Sequence, residues 1–174
     1  MAEIFIGRTQ ELEELKLLFD KKSASLVVIR GRRRIGKSRL AKEFAKKYRF
    51  LHFTGTPPHP TTTPQNQRDE FMRQLAEQTS LPDVQADNWS KAFQLLASHT
   101  LKGRVIVLFD EISWIGSKDP DFLGQLKNAW DLKFKTNPEL IFILCGSVSY
   151  WIEKNILSSA GFMGKNSILI LTMF

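Results

Sequence analysis

Gly31-Arg32-Arg33-Arg34-Ile35-Gly36-Lys37-Ser38 is the stretch on which the reading of this chain turns. It matches G-x-x-x-x-G-K-[ST] at every fixed position. Such a loop wraps its backbone N–H groups around phosphate oxygens, and glycine is needed where the backbone approaches an oxygen closely or takes positive φ. The short β-branched run Leu26 to Arg30 precedes it, a strand that Gly31 ends. Helical spacing resumes near Lys37, with Leu40, Phe44 and Tyr48 on one side. Strand, loop and helix in this order are the context the motif requires, and the helix N-terminus adds partial positive charge at the same place. Lys37 is then placed to reach the β- and γ-phosphates and the Ser38 hydroxyl to ligate magnesium. Arg32, Arg33 and Arg34 fill positions that the motif leaves open, either as solvated charges or as contacts to nucleotide, partner or nucleic acid. Ile35 and Arg39 are grouped with them as nucleotide-binding candidates.

Charge is concentrated around this loop. From Arg30 to Arg49 there are ten basic residues and one acid, Glu43, whereas the whole chain has 25 Lys plus Arg against 18 Asp plus Glu. The remainder is therefore slightly acidic, and one electropositive site describes the chain better than general basicity does.

Working outward, Phe50 to Thr54, Arg104 to Glu111, Leu140 to Cys145 and Ser167 to Met173 read as four further strands. Between them lie amphipathic stretches. Thr9 is expected to cap a helix carrying Leu12, Leu15 and Phe19, and Thr63-Pro64 to open one with Phe71, Met72 and Leu75 buried. A third starts at Asn88 and stops at Gly103. Asp119 and Pro120 open a fourth, with Leu123, Leu126, Trp130 and Phe134 as its stripe, and Ser149 to Leu157 forms a short fifth. Gly55 and four prolines through Pro64 make an exposed loop. Continuously apolar strands separated by amphipathic helices are what a parallel sheet covered on both faces requires, so the class is α/β. Ligands in such sheets bind beyond the carboxyl ends of the strands, and three strands end in Gly31, Asp110–Glu111 and Gly146–Ser147.

Val105-Ile106-Val107-Leu108-Phe109-Asp110-Glu111 has the form of a Walker B segment. Asp110 is the expected magnesium ligand, usually through water. A glutamate beside it, Glu111, can orient and deprotonate an attacking water, which marks the hydrolysing branch of phosphate-binding-loop proteins. Ser147 is a candidate sensor of the γ-phosphate. Absence of an Asn-Lys-x-Asp segment favours adenine over guanine. His52, His59 and His99 lack metal-ligand spacing, and Cys145 reads as an inert strand residue.

At 174 residues the chain has room for one core, with 43% apolar and 25% charged residues, away from the composition of disordered chains. Its apolar runs fall far short of the roughly 18 residues of a spanning helix, so no membrane role is expected. Met1 to Gln10 carry no leader signature, and a lone cysteine fits a reducing compartment, so a cytoplasmic location is expected.

Four segments, Phe5 to Leu12, Gly31 to Ser38, Leu108 to Ile115 and Leu144 to Trp151, together resemble a P-loop ATPase of the AAA+/STAND group, specifically the archaeal-type ATPase family of archaea and bacteria. The resemblance implies ATP and magnesium as ligands, a three-layer αβα sandwich and a five-stranded sheet in the order 5-1-4-3-2. It spans residues 1–174 as one core domain, with 1–24 an N-terminal Gly-Arg segment and helix and 25–174 the nucleotide-binding sheet. It also implies that Ile6, Gly7 and Arg8 lie near the adenine. A helical lid would follow the fifth strand, and this chain stops where the lid should begin. Gly164-Lys165 stands where relatives commonly have Gly-Arg, and without an arginine finger, worth about 10³ to 10⁵ in rate, turnover would be slow. The leading expectation is a magnesium-dependent ATPase acting as a switch, exchanging ATP and ADP, with a protein partner or self-association. Alternatives are a nucleotide-gated interaction module, binding of DNA or other nucleic acid through the basic segment, and a small-molecule kinase.

Overall fold

A computed structural model describes residues 7–147, 149–157 and 168–174. Five parallel strands form its centre: β1 (Ser25–Gly31), β2 (Arg49–Thr54), β3 (Val105–Asp110), β4 (Ile141–Gly146) and β5 (Ile168–Met173), in the order β2-β3-β4-β1-β5. Read from the other edge, this is the expected order. Helices α1 (Thr9–Lys16) and α2 (Lys37–Ala45) cover one face, and α3 (Pro64–Thr79), α4 (Trp89–Ala97) and α6 (Phe122–Leu132) the other. A one-turn helix, α5 (Ile112–Ile115), follows β3, and α7 (Ser149–Ile152) follows β4.

The strand sequences dictate two cores. Successive side chains point to opposite faces, so Val28, Val107, Phe109, Phe142 and Leu144 join one cluster while Val27, Ile29, Leu108, Ile143 and Cys145 join the other. On the first face, Phe71 stands edge-on to Phe109 with ring centres 5.6 Å apart and stacks on Phe53 at 4.4 Å. Such pairs contribute about 0.5–1.5 kcal/mol beyond their buried area. Edge strands behave differently. In β5 only Leu171 and Met173 are buried, on the face packed by α1 and α2, with Ile170 and Thr172 exposed on the other, where none of the described helices covers the strand.

Several helix limits differ from the sequence reading. The residue before α1 is Arg8, in a left-handed conformation at φ 57°, so Thr9 lies inside the helix and caps nothing. Phe19 falls in a tighter 3₁₀ turn, Leu17–Asp20. Tyr48 lies beyond the end of α2 and is exposed. Helix α4 ends at Ala97 rather than running to Gly103, and the Ser98 hydroxyl donates back to the Leu95 carbonyl at 2.6 Å. Helix α6 opens at Phe122, two residues later than Pro120; Asp119 still accepts the Asp121 N–H through Oδ1 at 2.9 Å while its Oδ2 pairs with Arg68 at 3.1 Å. Phe134 is buried in its own 3₁₀ turn, Phe134–Thr136, and the segment after α7 is a π turn, Glu153–Leu157. The cap at Thr63 forms as expected, closed into a capping box by Asn66, and Asn88, read as the first residue of its helix, is instead the cap of α4. Ile6, Gly164, Lys165 and Ser167 lie outside the described residues.

The outer edge of β2 is closed by side chains. Three glutamines of α3 each pair with both backbone groups of one residue. Gln78 receives His52 N–H at 2.7 Å and donates to its carbonyl at 2.8 Å. Gln74 does the same for Thr54 at 2.9 and 3.0 Å, and Gln67 for Thr56 at 3.2 and 2.9 Å. The amides stand in for a sixth strand and cover an edge that would otherwise invite pairing with another chain. Replacing Gln74 by Leu should therefore speed hydrogen exchange at the Thr54 amide and lower stability by about 1–2 kcal/mol in urea titration. Unchanged exchange at Thr54 would rule the pairing out.

Candidate functional site

The carboxyl ends of β1, β3 and β4 bring the two sequence motifs together in a cleft of about 550 Å³, lined by Arg34, Gly36, Lys37, Ser38, Arg39, Lys42, Asp110, Glu111 and Ser147. Lys37, at the first position of α2, is 6% exposed. Its Nζ donates to the Gly31 carbonyl at 2.9 Å, the Arg32 carbonyl at 2.5 Å and the Ser147 hydroxyl at 3.4 Å, using all three ammonium donors. Backbone conformation makes this cup. Gly36 has φ 95° and Arg34 φ 61°, so the chain reverses within the loop before α2 begins. Gly31 has φ 153°, and a Cβ there would come within 2.5 Å of the Met173 carbonyl oxygen and 2.6 Å of Ile35 Cδ1.

Opposite the loop, Ser38 Oγ donates to Asp110 Oδ2 at 2.5 Å, and the Glu111 N–H donates to Asp110 Oδ1 at 3.0 Å. Burial opposes ionisation of Asp110, but the His52 ring, 3.6 Å from Oδ2, and the Ser38 hydroxyl outweigh it and hold the carboxyl below its ordinary range. Asp110 is accordingly anionic at neutral pH. Glu111 takes a left-handed conformation at φ 51° and caps α5. Its Oε1 accepts from Ser147 Oγ at 3.2 Å, while Oε2 is buried with no hydrogen-bond partner among the described residues. Ser147 thus joins Lys37 to Glu111.

Other candidates stand around this centre. Arg33 places its guanidinium 5.0 Å from the centre of the Trp114 ring, linking the loop to α5. Arg8 donates to Glu11 at 3.1 Å, to the Ile35 carbonyl at 3.5 Å and to the Phe174 carbonyl at 2.7 Å, tying the start of α1 to the loop and the end of β5. Gly7, at φ 87°, precedes it. Burial pushes the Cys145 thiol well above its ordinary value, so it stays protonated. Two residues outside the sequence motifs belong here: Lys42, one turn into α2 on the cleft wall, and His52, beside Asp110. Position 52 registers with Leu108, and Asp110 two residues on shares its face of the sheet. A polar residue at that parity on β2 was the available signal.

Residues 5–174 match the family described as an ATPase domain predominantly from Archaea. An uncharacterised protein of Methanocaldococcus jannaschii is 23% identical over 164 residues, 94% of this chain and 34% of that protein. An ATP-binding protein of the same organism is 42% identical over 41 residues, 24% of this chain and 70% of its own length. The Walker-type ATPase of Pyrococcus abyssi shares the fold with a TM-score of 0.64 at 18% identity, covering 98% of this chain and 54% of that one. Cdc6p from Pyrobaculum aerophilum does so with a TM-score of 0.63 at 15% identity, covering 98% and 46%. The chain thus spans about a third of the longer Methanocaldococcus protein and about half of each solved structure. Among the described residues no helix is long and apolar enough to cross a membrane.

The two loop glycines separate strain from collision. Gly31→Ala meets backbone and should cost more than Gly36→Ala, where φ is positive but none of the described residues lies within 4 Å of the added carbon. About 1–2 kcal/mol is expected at Gly36, and a larger loss at Gly31, compared by thermal unfolding. The reverse ranking would contradict the loop geometry.

Proposed function

Because the chain belongs to this family of ATPase domains, we propose that it binds ATP with magnesium, hydrolyses it, and uses the cycle as a molecular switch. The observation that carries this is the convergence of Lys37, Ser38, Asp110, Glu111 and Ser147 on one cleft. In this reading the phosphates replace the Arg32 carbonyl and Ser147 as partners of the Lys37 ammonium, while amides at the start of α2 donate to the same oxygens. Arg34, Arg39 and Lys42 add positive charge along the cleft wall, and the Gly7–Arg8 segment borders the base.

Ser38 Oγ and Asp110 Oδ2 are one neutral and one anionic hard oxygen facing the cleft, a donor set suited to magnesium. Bound there, the cation would neutralise charge on the phosphate oxygens. Asp110 supplies its negative charge without needing to lose a proton first, since its carboxyl already titrates low. Glu111 offers the unpartnered Oε2 to a proton from the attacking water, and its other oxygen is held by Ser147. Ser147, between the ammonium and this carboxylate, would then report arrival of the γ-phosphate to Glu111. A protein partner, a second copy or DNA is the expected recipient of the switch, and a partner's arginine could speed turnover.

Two substitutions separate binding from chemistry. Lys37→Ala should weaken ATP binding about 10- to 100-fold, the worth of charge-assisted hydrogen bonds of about 1.5–3 kcal/mol. Glu111→Gln should keep ATP affinity and lose about 10²- to 10⁴-fold in phosphate release. Equal release by wild type and Glu111→Gln would remove Glu111 from its role, and binding without turnover by the wild type would favour a nucleotide-gated interaction module.

A further inference from the structure

Asp110 has a neighbour that its own motif does not supply. The His52 ring lies on the same face of the sheet, its Nε2 buried, with no hydrogen-bond partner among the described residues and 3.6 Å from Asp110 Oδ2, just beyond hydrogen-bond distance. The ring stacks against Phe50 with centres 5.8 Å apart. Both backbone groups of His52 are clamped by Gln78, at 2.7 and 2.8 Å. The strand therefore cannot shift the ring along its axis without breaking two hydrogen bonds.

We propose that His52 is a positioning residue for Asp110, presenting Nε2–H to Oδ2, and that Gln78 fixes the register in which it does so. The inference rests on the reading of Asp110 as the magnesium-binding carboxylate. Its physical basis is the crowding at Oδ2. Ser38 Oγ is at once the donor to Oδ2 and an oxygen offered to the cation. As that hydroxyl turns to serve the cation, its hold on Oδ2 slackens, and rotation about the Cβ–Cγ bond is then restrained by the Glu111 N–H at Oδ1 alone. A donor arriving from β2, outside the phosphate-binding loop, restrains the same rotation independently of the loop. Partners of this kind behind a ligating carboxylate are typically worth 10- to 100-fold in metal affinity.

The test reads metal dependence of binding rather than turnover. ATP binding to the full chain is followed by calorimetry in EDTA and across a magnesium titration, for wild type, His52→Phe, His52→Gln and Asp110→Asn. Phenylalanine keeps the ring and its stacking but removes the donor, and glutamine restores an N–H at comparable reach. His52→Phe should leave metal-free ATP affinity within about twofold and raise the magnesium concentration for half-maximal tightening about 10-fold, and His52→Gln should recover most of that shift. Thermal unfolding checks that each variant folds; should His52→Phe fail, Gln78→Leu, which releases the register of β2, is expected to raise the magnesium midpoint in the same direction. A wild-type midpoint in the folded His52 or Gln78 variant, with Asp110→Asn shifted, would overturn the proposal and leave the role of Asp110 standing. No shift in Asp110→Asn would overturn the magnesium reading, and the role of His52 with it.

Discussion

One hydrogen bond, from Ser38 to Asp110 at 2.5 Å, joins the loop after β1 to the end of β3. These strands are not neighbours, since β4 lies between them. The bond exists only because all three run parallel and end at one edge of the sheet. It depends on two registers, Ile29 beside Cys145 and Phe109 beside Leu144. A slip of one residue in either would set the end of β1 and Asp110 on opposite faces, leaving loop and carboxylate without a shared cleft. Sheet order and site geometry are thus one constraint.

That constraint explains why the architecture was legible. Val27 to Ile29, Val105 to Phe109 and Ile141 to Cys145 are apolar on both faces, as buried parallel strands must be, and the loop motif fixed which strand ends carry chemistry. Helix ends were less legible because they answer to contacts the local pattern does not contain. Asp119 does receive the Asp121 N–H as a cap would, but its other oxygen answers to Arg68 from α3, and the regular helix begins only at Phe122. Thr9 has the chemistry of a cap, but the left-handed turn at Arg8 moves the cap position back by one residue. Helix α5 is a single turn, too short to show a period.

The glutamines of α3 and the histidine of β2 were illegible for a related reason. Gln67, Gln74 and Gln78 are separated by seven and four residues, spacing that places them on one face of a helix but reads as an ordinary polar stripe. Their function appears only once β2 is known to be an edge strand whose outer backbone groups lack a neighbouring strand. His52 likewise becomes informative only when its register with Leu108 places it beside Asp110. In both cases the residue type was visible and the partner was set by topology.

Lys37 shows how a buried cation is held, and what an anion would have to exchange. An ammonium that is 6% exposed is tolerable only when its donors are satisfied, and here two loop carbonyls and the Ser147 hydroxyl satisfy them. Phosphate oxygens carry full negative charge, so exchanging neutral acceptors for them strengthens each bond, but the carbonyls released must then find water. Net affinity from Lys37 is therefore a difference between two satisfied states, smaller than a count of new contacts would suggest. On the proposed reading the same exchange would withdraw Lys37 from Ser147, whose hydroxyl is also the partner of Glu111. A phosphate in the cup would thus reach the carboxylate just after β3 through Ser147, just after β4, the strand between β1 and β3.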